Sequence, residues 1–153
     1  MAAIEELNDR GDGGGLIGGY PLSKLKITVL DGETQPMNST EVAFRIAAGD
    51  AFDKALRQGE PVLLEPIMKL DISTPEDHMG AIVGDIQQRR GLIAQTEQRG
   101  ADTVIEAHAP LSELLGYSSA VRSLSQGLAG FSMQPLQFAP APPEVMKSFG
   151  WDS

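Results

Sequence analysis

The chain contains no cysteine. That excludes disulfides and thiolate chemistry and fits a reducing compartment. It has only two histidines, His78 and His108, on different predicted elements and without the spacing of metal ligands. His78 is expected as a solvated neutral side chain in a first helical turn, and His108 as a structural residue on a mixed strand face. No apolar run approaches the length of a membrane span, so no membrane contact is expected. Met-Ala-Ala-Ile-Glu-Glu-Leu has no basic region before an apolar core, so it does not read as a signal peptide. Positive charge is scarce: 12 Lys and Arg against 21 Asp and Glu, a net charge of −9 over 153 residues. Bulk electrostatic capture of nucleic acid is thereby disfavoured, and any RNA contact has to come from a local patch. Arg89–Arg90 is the one adjacent basic pair.

Catalytic constellations are missing too. Gly11 to Gly19 is glycine-rich, but Tyr20-Pro21 follows where a phosphate loop needs Lys and then Ser or Thr, so a connector is the expected reading. The serines at 112, 118, 119, 123 and 125 lack a nucleophile elbow. Glu76 and Asp77 are helical neighbours that do not face each other, and dipole complementation accounts for them.

What is present is patterning. Met68, Leu70 and Ile72 alternate with Lys69, Asp71 and Ser73, the period of a half-buried strand. Thr74 then offers an N-cap oxygen, with Pro75 at the first helical position. Met79, Ile82, Val83 and Ile86 form one apolar helix face, and Gly91 is the stop. The plan repeats: a strand from Thr103 to Ala109, a helix opened by Pro110 and closed by Gly127, then a strand from Phe131. Two such units predict an α+β, ferredoxin-like β-α-β-β-α-β domain over 61–140, with four antiparallel strands and both helices on one face. Pro135 predicts an edge position or a bulge for the last strand. For the tail, 141–153, a docked turn through Val145, Met146, Phe149 and Trp151 and a frayed terminus are both open.

Residues 1–60 read differently. Ala2 to Asn8 resembles the end of a helix. Lys24 to Leu30 has strand alternation. Asn38 and Glu41 form a capping-box pattern before a helix carrying Val42, Ile46, Phe52 and Leu56, which ends at Gly59. Gly49 inside it costs about 1 kcal/mol against alanine and implies close packing. One strand and one helix cannot complete a fold, so 1–60 is expected to be an incomplete α+β half-domain.

Two features admit a functional reading. Arg89–Arg90 either complements the helix dipole or contacts phosphate through the guanidinium fork, and spacing alone favours the dipole. Gly80 and Gly84, one turn apart, either form a smooth groove or pack on the sheet, and sheet packing is the plainer account.

Longer stretches are more specific. Gly-Tyr-Pro-Leu at 19–22, Ser-Thr-Glu-Val-Ala-Phe-Arg at 39–45, Pro-Val-Leu-Leu-Glu-Pro-Ile-Met-Lys at 61–69, Gly-Asp-Ile-Gln-Gln-Arg-Arg-Gly at 84–91, Pro-Leu-Ser-Glu-Leu-Leu-Gly-Tyr at 110–117 and Val-Arg-Ser-Leu at 121–124 together resemble the C-terminal end of elongation factor G, a translational GTPase. The resemblance covers almost the whole chain. It implies that 1–60 is the end of the family's fourth domain and that its ferredoxin-like fifth domain follows. It implies a cytoplasmic, non-catalytic, ribosome-binding region that acts in translocation. The implied partners are ribosomal RNA near the stalk base and the sarcin–ricin loop, stalk-base proteins, and the remaining domains of the parent factor. GTP and magnesium belong to the parent's GTPase domain, and no cofactor is expected for this chain. The family's tip loop maps to Gln35, Pro36, Met37, Asn38 and Ser39. Gln35 stands where the family has histidine; it can bond a phosphate or ribose but carries no charge. Gln126 and Leu128 stand where the family often has lysine and arginine. Gln35, Asn38, Arg89 and Arg90 are thus the candidate ribosome or RNA contacts. Alternatives are a recycling or protection paralogue and a stand-alone ferredoxin-like ligand sensor; an acylphosphatase-like enzyme would need an arginine–asparagine anion site that is not found.

Overall fold

The computed structural model describes Leu7, residues 14–37 and residues 39–151. They fall into two compact units: Leu64–Pro140, and the residues up to Leu63 together with those from Ala141. Among the described residues no helix is long and apolar enough to cross a membrane. Apart from Leu7, the helix end expected at Ala2 to Asn8 lies outside the described residues.

In the first unit the main element is α1, Glu41–Gln58. Its cap is Thr40, whose Oγ1 accepts the Ala43 N–H at 3.2 Å. This corrects the Asn38 capping box, and Asn38 itself lies outside the described residues. Thr40 is extended, at φ −83° and ψ 160°, so its oxygen turns back onto the third helical N–H. Gly49 is buried, Phe52 and Leu56 are half-buried, and Val42 and Ile46 are exposed. The inward stripe is therefore Gly49–Phe52–Leu56, not one that starts at Val42. Gly59 ends the helix by donating to Ala55 at 2.9 Å. The alternating stretch Lys24 to Leu30 is not a strand. Strand geometry needs a ladder partner, and every sheet strand among the described residues belongs to the other unit. The tail docks. Pro143–Ser148 is a short helix, and Val145, Met146 and Trp151 pack on Ile17, Leu63 and Ala141. Phe149 meets Tyr20 edge-on at 5.6 Å. A frayed terminus is ruled out for the described part of the tail.

In the second unit the order is β1 (Leu64–Pro75), α2 (Glu76–Gln88), β2 (Leu92–Arg99), β3 (Asp102–Pro110), a 3-10 turn (Leu111–Leu114), α3 (Tyr117–Leu124) and β4 (Gly130–Pro140). The sheet runs β2-β3-β1-β4 and all pairs are antiparallel. This is the ferredoxin-like arrangement of an α+β domain. Period-two alternation sends Met68, Leu70 and Ile72 inward, where Leu70 pairs with Ala107 and Ile72 with Ile105. Ile82 and Ile86 of α2, with Tyr117 and Val121 of α3, complete the same core. Both helices therefore cover one face. Each fully buried Leu or Ile there contributes about 1.5–3 kcal/mol.

Three local readings change. Strand β1 continues through Pro75, so Thr74 is a sheet residue opposite Thr103 and not a cap. A residue before proline is driven to extended backbone, and the Thr74 hydroxyl donates to the Pro75 carbonyl at 3.3 Å. Next, the single helix expected after Pro110 is two pieces. Leu115 is extended at ψ 126° and Gly116 is left-handed at φ +70°, which interrupts the helical ladder. Last, a Cβ added to Gly80 or Gly84 would meet nothing within 4 Å, so packing on the sheet does not explain these glycines. The expectation for Pro135 holds: β4 is an edge strand, and its register shifts so that Gln137 pairs with Ile67 and Pro135 with Met68, leaving Leu136 as the bulge.

Candidate nucleic-acid interface

The end of α2 places the two arginines. Arg89 is the C-cap and Arg90 is left-handed at φ +59°. Arg90 donates its N–H to the Gln87 carbonyl at 3.2 Å and Gly91 to the Ile86 carbonyl at 2.8 Å. This is a Schellman turn with arginine at the position glycine usually takes. The arginines thus lie beyond the last helical turn rather than in it. The turn aims both side chains back across the domain.

Arg89 Nε donates to Asp85 Oδ2 at 2.8 Å, and Nη1 to the Glu113 carbonyl at 2.6 Å. Its guanidinium also lies over the Tyr117 ring, 5.3 Å from the centroid. Arg90 forms a fork-to-fork pair with Glu65, Nη1 reaching Oε2 at 3.2 Å while Nη2 donates to Oε1. The Glu113 carboxylate is 3.7 Å from Arg90 Nη1. The Glu65 contact, and then the nearby carboxylate charges, hold Arg90 above its ordinary value, so it stays charged. Neither guanidinium is a free phosphate receptor in this geometry.

Tyr117 is the neutral partner in this cluster. It is buried, its hydroxyl has no hydrogen-bond partner among the described residues, and Phe131 meets its ring edge-on. Burial, with a contribution from the Asp85 charge and against that of Arg89, pushes its hydroxyl up to about 12. The folded state therefore holds this proton more tightly than the unfolded chain does. The resulting stability is fully present below the ordinary tyrosine value near ~10 and is lost as pH rises toward about 12. Tyr117→Phe should raise stability at neutral pH by about 1 kcal/mol, because it deletes an unsatisfied buried hydroxyl. It should also flatten the alkaline loss. Unfolding midpoints at neutral pH and near pH ~11 check both expectations.

On the sheet face away from the helices the cations are paired with carboxylates. Lys69 Nζ meets Glu106 at 2.8 Å and Asp71 at 3.6 Å, and His108 Nε2 is 3.5 Å from Glu106. The Lys69 hydrogen bond holds the Glu106 carboxyl below its ordinary value, and the same contact raises Lys69. Arg99 pairs with Glu97 at 2.9 Å. Four of the five Lys and Arg residues in Leu64–Pro140 are thus held by carboxylates.

The fifth is Arg122, on the outer side of α3. Its side chain is exposed and has no ion pair or hydrogen bond to a described residue. Ser118, Ser119, Ser123 and Gln126 are exposed around it on the same segment. Residues 114–140 contain neither Asp nor Glu. Within Leu64–Pro140 that acid-free run carries the one cation without a carboxylate partner among the described residues; in the other unit, residues 13–30 are likewise free of Asp and Glu and hold exposed Lys24 and Lys26. The adjacency of Arg89 and Arg90 is plain in the sequence, whereas the lack of a carboxylate partner for Arg122 among the described residues is visible only in the fold. Of the other predicted residues, Gln35 is exposed in the first unit. Its backbone N–H donates to Ser39 Oγ at 2.6 Å, while its side-chain amide bonds to no described residue. Among the described residues no cluster of three or more His, Asp or Glu is placed to hold a metal.

Comparison with known proteins gives mutually consistent matches. The family model of elongation factor G domain IV matches residues 4–60, and that of the elongation factor G C-terminus matches residues 62–149. Elongation factor G of Fervidobacterium nodosum is 47% identical over 131 residues, which is 86% of this chain and 19% of that protein. A crystal structure from Thermus thermophilus superposes with a TM-score of 0.75 at 35% identity, covering 97% of this chain and 22% of the other. The chain thus spans about a fifth of the length of the curated relative it matches.

Proposed function

This chain belongs to the elongation factor G family, and from that premise we propose that it binds the ribosome and acts at the translocation step. It is a translation elongation factor region. In our reading it makes and breaks no bonds and needs no cofactor of its own. Its work is steric and electrostatic, with ribosomal RNA and stalk-base proteins as partners and with the other domains of a parent factor supplying GTP chemistry.

The observation that carries this reading is the match of the two family models, consecutive and in order, across 4–149. The geometry supplies the chemistry of contact. Phosphate oxygens accept hydrogen bonds, and the segment around Arg122 offers a guanidinium and hydroxyl and amide donors and has no Asp or Glu of its own. Gln35 offers a side-chain amide that bonds to no described residue in the first unit. Among the described residues Lys24, Lys26, Lys54, Arg57, Arg122 and Lys147 have no carboxylate partner, so salt-sensitive binding should involve at most about six phosphates, and shape has to carry the rest.

The test is co-sedimentation of the full chain with large ribosomal subunits between about 50 and 200 mM salt. Binding is expected at low salt, with a logarithmic slope no steeper than about −5, and a full-length elongation factor G should displace the chain. Failure of a folded sample to co-sediment at the lowest salt would overturn the reading.

A further inference from the structure

We infer that Arg89 and Arg90 are positioning residues: they grip Glu113 from both ends and thereby set the face of α3 that carries Arg122. This rests on the reading of that face given above. Arg89 takes the Glu113 backbone carbonyl at 2.6 Å, and Arg90 lies 3.7 Å from its carboxylate. The same two side chains are anchored on α2 by Asp85 and on β1 by Glu65. Glu113 is therefore tied to two elements of the scaffold at once.

The tie matters because the chain after Glu113 has a loose joint. The 3-10 turn ends at Leu114, Leu115 is extended, and Gly116 is left-handed at φ +70°. Residues 115 and 116 make no helical link between the turn and α3. Glycine leaves that joint with few steric limits, so the direction of α3 has to be fixed from outside it. Buried Leu114 and Tyr117 fix it on the core side. On the other side the Arg89 guanidinium covers the Tyr117 ring and holds the carbonyl just upstream of the joint.

The same contacts argue against direct phosphate binding by the pair. A phosphate approaching Arg90 would meet the carboxylates of Glu65 and Glu113, and one approaching Arg89 would meet Asp85. Like charge at those distances opposes a dianion or a phosphodiester.

The experiment uses Arg89→Met and Arg90→Met in the full chain, with two readouts. One is amide exchange across Tyr117–Leu124; the other is large-subunit affinity against salt. Exchange in that helix should quicken by about tenfold, while affinity falls and the logarithmic salt slope stays that of the unsubstituted chain. A slope shallower by about one charge, with exchange unchanged, would mean a direct phosphate contact and overturn the inference. Unchanged exchange, affinity and slope would also overturn it. Should either variant fail to fold, Glu113→Gln serves instead, since it keeps both arginines and removes a competing charge. Weaker binding with faster exchange then supports positioning, and tighter binding with a steeper slope overturns it. If the unsubstituted chain does not bind subunits at all, the functional reading fails, and the exchange rates alone still decide whether the grip holds α3.

Discussion

Gly91→Ala should destabilise the Leu64–Pro140 unit by about 3 kcal/mol, at the upper end of what overpacking a core costs. An alanine Cβ at 91 would collide with Ile86 Cγ2 and sit 2.7 Å from the Ile86 carbonyl oxygen. Neither neighbour can give way cheaply. Ile86 is 1% exposed and packed in the core, and its carbonyl is the acceptor that closes α2. Relief therefore requires either opening the Schellman turn or displacing a core side chain. Opening the turn would also release Arg90 from Glu65. The corresponding turn after α3 provides the control. Gly127 donates to the Arg122 carbonyl at 2.8 Å, as Gly91 does to Ile86, but a Cβ there would touch nothing within 4 Å. Only its φ of +82° resists a side chain, so Gly127→Ala should cost about 1–2 kcal/mol. Urea unfolding followed by far-ultraviolet circular dichroism compares the two. A loss below about 1 kcal/mol for Gly91→Ala, or a larger loss at Gly127, would show that contact with Ile86 is not what requires glycine at 91.

That contrast shows where sequence reading stops. Glycine at 91 and 127 is legible as a helix stop in both cases. Which of the two is required by φ and which by a neighbouring atom depends on the path of the chain. The fold was legible because its signals are periodic and redundant. Inward Met68, Leu70 and Ile72 define β1, Ile82 and Ile86 define α2, and Pro135 gives away the edge strand. Sequence signals mislead where one residue has two competing local roles. Thr74 has the chemistry of a cap, but its place before Pro75 and opposite Thr103 keeps it in the sheet. Pro110 suits a helix start, yet Gly116 splits the segment behind it into a turn and a helix. Lys24 to Leu30 has the pattern of a strand and lacks a partner, and pattern alone does not form a ladder. For the interface, the adjacency of Arg89 and Arg90 was easy to see. Their commitment to Glu65, Asp85 and Glu113 was not, because those acids lie up to 25 residues away in sequence.

The charge distribution of the unit points to Arg122 for the largest functional effect. Arg122→Glu should lower large-subunit affinity by at least about tenfold at low salt, because it removes one phosphate neutralisation and adds a repulsion. Folding should be almost untouched. Arg122 is exposed and unpaired among the described residues, and in the last turn of α3 its contribution to the helix dipole is within about 0.3–1 kcal/mol. The effect is therefore separable from stability in a way that no change at Arg89 or Arg90 can be. Arg122→Lys should retain most of the binding if the guanidinium acts as a point charge. It should lose much of it if the planar fork is used, since lysine cannot make two parallel bonds to one phosphate. Salt titration distinguishes a local contact from a general shift in net charge. A contact at Arg122 lowers the logarithmic slope by about 0.7–0.9 when the residue becomes alanine. An equal change in charge at exposed Arg99, already paired with Glu97, should leave that slope unaltered. Binding by Arg122→Glu within about twofold of the unsubstituted chain, at the salt where one contact matters most, would move the RNA-facing surface off α3 and leave its acid-free segment without a role in recognition.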